Sequence, residues 1–145
     1  MKKLFVLTLI ITSFVACKQE RKELIAKKWV YDTDEMYKVT SKNLEKLEAR
    51  DKVLEGYKTA YLDRYRDVSY TLDKTGKLVW QDKGVIRNGQ WGLADNDSTL
   101  ILDADTVQTS FKILKLTSSQ MIFQDNVVNT SPQFELSKPI LKSVK

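Results

Sequence analysis

The second half of the chain alternates apolar and polar positions in short runs separated by turn residues. From Val68 onward the runs recur roughly every ten residues, with Asp, Asn, Gly and Ser between them. Alternation with a period of two is typical of strands that have one buried face. Short strands at this spacing, joined by tight turns, indicate an antiparallel meander. The predicted strands are 68–72, 77–81, 85–93, 99–102, 107–116, 120–124 and 134–136.

One further strand and a helix are predicted before the meander. Segment 27–37 contains Trp29-Val30-Tyr31, and this aromatic and β-branched run predicts the first strand. Leu and Tyr residues between Leu44 and Tyr65 then follow the spacing of one helical stripe. This pattern predicts one amphipathic helix over about 41–64, with Ser41 as its N-cap.

The number of strands favours a closed barrel. A meander of about eight strands closes most naturally into an up-and-down barrel, because closure removes exposed edges and leaves room for one small ligand. The predicted fold is therefore mainly β. It is an antiparallel up-and-down eight-stranded barrel in one domain over 24–145, with one amphipathic helix inserted after the first strand. The long strand 107–116 has a predicted irregularity around Lys112–Leu114.

The N-terminus has the pattern of an export signal. Met1-Lys2-Lys3 precedes a mostly apolar run of about 13 residues, and a polar stretch, 18–23, follows it. A membrane-spanning helix needs about 20 apolar residues, so this run has the length of a signal peptide. The alternative, a true transmembrane helix, also conflicts with the charges that come directly after the run.

The single Cys of the chain, Cys17, stands directly after this run and follows Ala16. The arrangement resembles a bacterial lipobox, in which the signal is cut before the Cys and the thiol receives a diacylglycerol, although Phe14 stands where the usual lipobox has Leu. The resemblance implies a lipoprotein signal peptide over 1–16 and a lipidated N-terminus with a short tether over 17–23. Each buried CH₂ contributes about 0.8 kcal/mol to membrane binding, so several acyl chains anchor a protein firmly. An ordinary secretory signal with an incidental Cys is the alternative.

These features imply a protein of the bacterial cell envelope that is anchored to the outer membrane through the lipid on Cys17. Lys18-Gln19-Glu20 loosely resembles the short charged signal that sends some Bacteroidota lipoproteins to the outer face of the outer membrane. The periplasmic face is the default expectation, and the cell surface is the alternative.

Composition excludes several kinds of chemistry. The 145 residues include no His and one Cys, so the chain can build no Ser-His-Asp or Cys-His nucleophile, no His-ligated metal site and no intrachain disulfide. The acidic pairs Asp95–Asp97 and Asp103–Asp105 fall in predicted turns, where Asp bonds its own backbone. We expect no enzyme activity, no cofactor and no metal. The net charge is +5 before the signal is removed, too mild a value to indicate a nucleic-acid partner.

Three motifs occur in order along the predicted barrel, and together they resemble one family. They are Leu24–Trp29, Tyr70–Lys77 with its Asp-x-x-Gly turn, and Gly89–Leu93 followed by an acidic turn and the segments Leu100–Leu102 and Phe111–Thr117. This order is similar to that of the small lipocalin-like lipoproteins of Bacteroidota, and the match covers most of 24–124. Lys27 departs from the pattern, because many lipocalins have Gly at that place. The resemblance implies a cup-like binding barrel and does not transfer a ligand.

Aromatic residues in the predicted strands supply a candidate ligand site. Every second side chain of a strand faces inward, so Trp29 and Tyr31 share a face, and Arg87 shares one with Trp91. An inward Arg in an apolar cup would attract a carboxylate or phosphate head group, whereas an Arg at the rim would face water. The candidate ligand-binding residues are Trp29, Tyr31, Tyr70, Arg87, Trp91 and Phe111.

Two functions from different classes remain open. The first is a binding module that holds a small hydrophobic or amphipathic ligand in its barrel. The second is a non-catalytic structural or interaction protein, with a filled barrel that docks an unidentified protein partner. A cavity of about 300 Å³ or more distinguishes the first from the second. The stripe of Tyr57, Tyr61 and Tyr65 also leaves two positions possible for the helix. It either lines the barrel mouth or packs outside the sheet.

Overall fold

A computed structural model describes residues 21–43, 50–124 and 138–144. Eight strands form one closed barrel in which every neighbouring pair is antiparallel, and the first strand also pairs with the last. The predicted mainly-β, eight-stranded antiparallel barrel is confirmed. The strands are β1 (Lys28–Tyr31), β2 (Val68–Leu72), β3 (Lys77–Asp82), β4 (Val85–Ala94), β5 (Thr99–Ala104), β6 (Val107–Leu116), β7 (Gln120–Phe123) and β8 (Ile140–Val144).

Strands β2 to β7 lie close to their predicted positions, because period-two alternation and Asp- or Gly-containing turns mark both their faces and their ends. The predicted irregularity in β6 is also present, since its register against β7 shifts between Ile113 and Lys115. The last strand, β8, was not predicted. The strand predicted at 134–136 lies outside the described residues.

The segment between β1 and β2 is helical over α2 (Thr33–Asn43) and α3 (Arg50–Tyr65), and residues 44–49 between them lie outside the described part. The helix therefore begins well before residue 41, and the predicted strand over 27–37 is wrong beyond Tyr31. Ser41 lies inside α2 and is not its N-cap. The cap is Asp32, whose Oδ1 accepts a hydrogen bond from the backbone N–H of Glu35 at 3.3 Å.

The inward side chains fill one end of the barrel, which we call the closed end. Residues 21–25 form a helical segment, α1, against this end, and Ile25 is fully buried there. The indole Nε1 of Trp29 donates to the Ile25 carbonyl oxygen at 2.8 Å. Along the whole barrel, the strand side chains buried to within one per cent are Trp29, Leu72, Leu78, Leu100, Leu102, Ala104, Met121, Phe123 and Leu141.

The opposite end is the mouth, where β1 ends at Tyr31, β2 begins at Val68 and β3 ends at Asp82. Helices α2 and α3 lie at this end. Met36 of α2 is buried together with Ile140, which precedes the inward Leu141 and therefore faces the outside of the barrel. Thus α2 packs outside the sheet, whereas the last turn of α3 reaches the mouth. In the described part of the chain, the helices are all too short or too polar to cross a membrane.

Candidate ligand-binding cavity at the barrel mouth

A cavity of about 510 Å³ opens at the mouth of the barrel. Its aromatic wall consists of Tyr31, Tyr70, Trp80 and Phe111, with Tyr65 contributed by the end of α3. Polar groups at its edge come from Arg64, Asp82, Lys83, Thr109, Ser110 and Gln124. The cavity therefore combines an apolar body with a polar opening, which is the usual composition of a small-molecule site.

Strand register brings the aromatic wall together. Tyr70 of β2 lies opposite Trp29 of β1 on one side and opposite Trp80 of β3 on the other. Directly opposed residues in antiparallel strands point to the same face, so all three side chains face inward. Next along β2 toward the closed end, Leu72 lies opposite Leu78, and both are buried. On β2 and β3, leucine side chains therefore fill the barrel on the closed-end side of the Tyr70–Trp80 pair, and aromatic rings line it at that pair.

The aromatic rings contact one another in a continuous series. Tyr65 of α3 stacks on Tyr31 with ring centroids 4.2 Å apart, and Tyr31 meets Tyr70 edge-on at 6.1 Å. The hydroxyls of Tyr31 and Tyr70 are 3.2 Å apart and share a hydrogen bond. Tyr70 in turn lies 5.6 Å from Trp80. This series joins the end of α3 to the inner face of β1, β2 and β3, and it presents flat ring surfaces to the cavity.

Burial raises the pKa of the Tyr70 hydroxyl to about 12, although its hydrogen bond with Tyr31 acts in the opposite direction. Two smaller contributions, from the negative charge of Asp82 and from Tyr65, also raise this pKa. Tyr70 is therefore a neutral hydroxyl at physiological pH, and it adds no negative charge to the cavity wall.

This pKa predicts an alkaline loss of stability. An unfolded Tyr releases its proton near pH 10, whereas folded Tyr70 holds its proton to about pH 12. The contribution to stability is complete below pH 10 and is lost as the pH rises toward 12, by an amount on the order of 2–3 kcal/mol. Urea unfolding between pH 8 and pH 11.5 measures it, and Tyr70→Phe should show a shallower decline than wild type. Equal slopes for the two proteins would contradict this assignment.

Cations are the more numerous charged groups at the cavity edge. The guanidinium of Arg64 lies over the ring of Tyr65, 5.4 Å from its centroid. Lys83 occupies the turn between β3 and β4 with a φ of 49°. The carboxylate of Asp82 lies 3.9 Å from Nη1 of Arg87, within ion-pair distance.

The candidate ligand-binding residues separate into two groups. Tyr31, Tyr70 and Phe111 border the mouth cavity. Trp29 and Trp91 instead lie toward the closed end, where each indole N–H is used within the fold. The Trp91 Nε1 donates to the Asp73 carbonyl oxygen at 2.9 Å, as Trp29 does to Ile25.

Arg87 faces inward, because it lies opposite Trp80. It does not border the cavity: its guanidinium packs over the Trp80 ring, 5.4 Å from the centroid, and faces Asp82. Its Nη1 is buried and forms no hydrogen bond with the described residues. Arg87 thus packs against the Trp80 ring and is not among the residues that line the cavity.

Several cavity residues did not stand out in the sequence. Trp80 could have been found, because the Asp73–Gly76 turn fixes the register that pairs it with Tyr70. Arg64 could not, and for Tyr65 the sequence left two positions open, since both depend on where α3 ends relative to the barrel. Cys17 lies outside the described residues, as do the side chains of Tyr57 and Tyr61.

The acidic turns have structural roles. Asp95, Asn96, Asp97 and Asp105 all have positive φ, a conformation that Asn and Asp tolerate in turns. The Thr99 hydroxyl donates to Asp95 Oδ2 at 2.7 Å. Among the described residues, no group of three or more Cys, Asp or Glu side chains is arranged to hold a metal ion.

Comparison with protein-family models, with curated proteins and with solved structures finds no match to this chain. The class of the protein is therefore stated from its own geometry: a closed antiparallel β-barrel whose described residues pack one end and surround a cavity at the other.

Proposed function

We propose that this protein binds a small hydrophobic or amphipathic ligand in its mouth cavity and catalyses no reaction. The observation that carries the proposal is the cavity itself. Its volume of about 510 Å³ exceeds the roughly 300 Å³ that a small-molecule site requires. A filled barrel would instead have side chains meeting across the mouth.

The composition of the cavity supports an amphipathic ligand. Tyr31, Tyr70 and Phe111 offer ring surfaces, and the edge carries Thr109 and the charged groups near α3 and the β3–β4 turn. An apolar body would bury against the rings while a polar end remained at the opening. This division of apolar and polar contacts is what orients ligands in concave sites.

We further propose that the protein is a lipocalin-like lipoprotein of the bacterial envelope, similar to those of Bacteroidota. The apolar N-terminal run and Cys17 support a lipid anchor in the outer membrane, facing the periplasm by default and the cell surface as the alternative. Because α1 at 21–25 packs on the closed end, an anchor at Cys17 would hold that end toward the membrane. Three residues separate Cys17 from α1, and this connection spans at most about 14 Å, so the mouth would open away from the anchoring membrane.

One observation supports the alternative, a protein-interaction role. Val85 and Ile86, at the β3–β4 hairpin beside the mouth, are 51% and 62% exposed. Exposed aliphatic side chains at a hairpin tip suit contact with a partner. On this alternative the partner would contact the mouth, and the cavity would hold no small ligand.

Filling the cavity tests the ligand-binding proposal. Thr109 borders the cavity and lies opposite the buried Leu102, so Thr109→Trp would place an indole in the open space. We expect this variant to weaken binding of the fluorescent probe N-phenyl-1-naphthylamine about tenfold or more. Thr71→Trp is the matched control, because Thr71 is exposed on β2 and faces away from the cavity. Equal probe binding by the two Trp variants and the wild-type full-length chain would refute a ligand site in the mouth.

A further inference from the structure

We infer that the mouth cavity selects anionic amphiphiles, with Arg64 and Lys83 as the residues that recognise the negative group. This inference rests on the proposed ligand-binding function and adds the charge of the ligand. It assigns recognition to two residues that the sequence pattern did not indicate. It also removes that role from Arg87, the cation expected from strand alternation.

The first argument is the balance of charge around the cavity. Within the described part of the chain, neither Arg64 nor Lys83 has a carboxylate within ion-pair distance. Asp82 is the acidic residue among those that border the cavity, and Arg87 faces it at 3.9 Å. Among the described residues, these two exposed cations are therefore left without a counter-charge beside an apolar wall. A ligand carboxylate, sulfonate or phosphate would supply one.

The second argument is the placement of Arg64. Its guanidinium lies on the face of Tyr65, and Tyr65 stacks on Tyr31 of the cavity wall. A guanidinium held on a ring has fewer orientations to lose when it binds an anion. Arg64 is thus fixed beside the ring surfaces where the apolar part of a ligand would lie.

The third argument concerns the apolar part of the ligand. Tyr65, Tyr31, Tyr70 and Trp80 form a continuous series of ring contacts along one side of the cavity. Flat rings pack on such surfaces by offset or edge-on contact. Phe111, which stacks on Phe123 at 4.7 Å, adds a further ring surface. A ligand with a flat ring system and an anionic group at one end fits both features.

Arg87 is excluded from the recognition role by its contacts. It is packed against Trp80 and close to Asp82, and it does not border the cavity. Its guanidinium already has an aromatic ring and a carboxylate as neighbours before any ligand enters.

Two probes that differ by one charged group test the inference. 8-Anilinonaphthalene-1-sulfonate has the same ring system as N-phenyl-1-naphthylamine and adds a sulfonate. In the full-length chain, the double variant Arg64→Gln/Lys83→Gln should weaken sulfonate-probe binding about tenfold and change neutral-probe binding less than about twofold. The double variant Arg66→Gln/Lys115→Gln is the matched control. It removes the same charge at two exposed positions that do not border the cavity, and it should leave the binding of both probes unchanged.

The outcomes separate this inference from the function on which it rests. If the Arg64/Lys83 variant loses equal affinity for both probes, or loses affinity for neither, charge selection would be overturned. The ligand-binding proposal would still stand, because Thr109→Trp tests it separately. Binding of both probes that persists in Thr109→Trp would place them outside the mouth and overturn both proposals. Loss of sulfonate-probe binding in the control variant would attribute the effect to total charge and would also overturn the inference.

Discussion

Gly89→Ala is expected to destabilise the barrel by about 3 kcal/mol or more, a large part of the stability of a domain of this size. Gly89 of β4 lies opposite Ala104 of β5, at a point where the two strands approach closely. A Cβ on Gly89 would overlap the Asp103 carbonyl oxygen and come within 2.6 Å of the Ala104 Cα. Both obstacles are backbone atoms of a paired strand, so no side-chain rotation relieves the overlap.

Gly92→Ala is the matched control for this substitution. Gly92 lies on the same strand, and a Cβ there would meet no atom within 4 Å. We expect its free energy of unfolding to lie within about 1 kcal/mol of wild type, because Ala restricts the unfolded chain at no steric cost. Urea unfolding followed by circular dichroism measures both variants. Similar stabilities for the two Ala variants would contradict the close approach of β4 and β5 at Gly89.

Trp29→Ala should cost about 3–5 kcal/mol, the second large effect expected on stability. Trp29 is completely buried, and its indole N–H is bonded to the Ile25 carbonyl oxygen. Truncation would leave a cavity in the packed half of the barrel. It would also leave that carbonyl without its donor, and it would remove the contact that holds α1 against the closed end.

Trp80→Ala makes the same substitution at the mouth. Trp80 is only half-buried and borders the cavity, and the part of the chain that the structure describes supplies no hydrogen-bond partner for its indole N–H. Its truncation enlarges a space that is already open, so the loss of unfolding free energy should be clearly smaller than for Trp29→Ala. A larger loss for Trp80→Ala than for Trp29→Ala would reverse our assignment of the packed and open ends.

The sequence was sufficient for most of the barrel because strand alternation and turn residues are local signals. Val68–Leu72 and Lys77–Asp82, for example, are separated by Asp73–Gly76, where Asp73 Oδ1 accepts hydrogen bonds from two backbone N–H groups and Gly76 has a φ of 95°. The start of α2 was missed although a local signal was present. Asp32 and Glu35 stand three residues apart, as in a helix-capping sequence, but the preceding aromatic run favoured a longer strand.

The cavity was only partly predictable, because some of its residues are positioned by strand alternation and others by the packing of distant elements. Tyr31, Tyr70 and Phe111 follow from alternation, because an inward position needs no knowledge of distant elements. Arg64 was not singled out, and Tyr65 was left with two alternatives, because both reach the mouth through the packing of a helix end, which no local pattern specifies. Alternation likewise placed Arg87 inward. It could not reveal that the guanidinium would pack over the Trp80 ring and lie near the Asp82 carboxylate.

The most direct test of the account is the mass of the protein after exposure to natural lipids. Three full-length chains would be incubated with a bacterial envelope lipid extract: a Cys17→Ser parent, and the same parent with Thr109→Trp or with Thr71→Trp. Native mass spectrometry would then measure the mass of each. Because all three share the same N-terminal segment, any lipid bound there appears equally in each. We predict one discrete added mass in the parent and in Thr71→Trp that is lost in Thr109→Trp. No added mass in any of them, or the same added mass in all three, would contradict a ligand held in the barrel mouth.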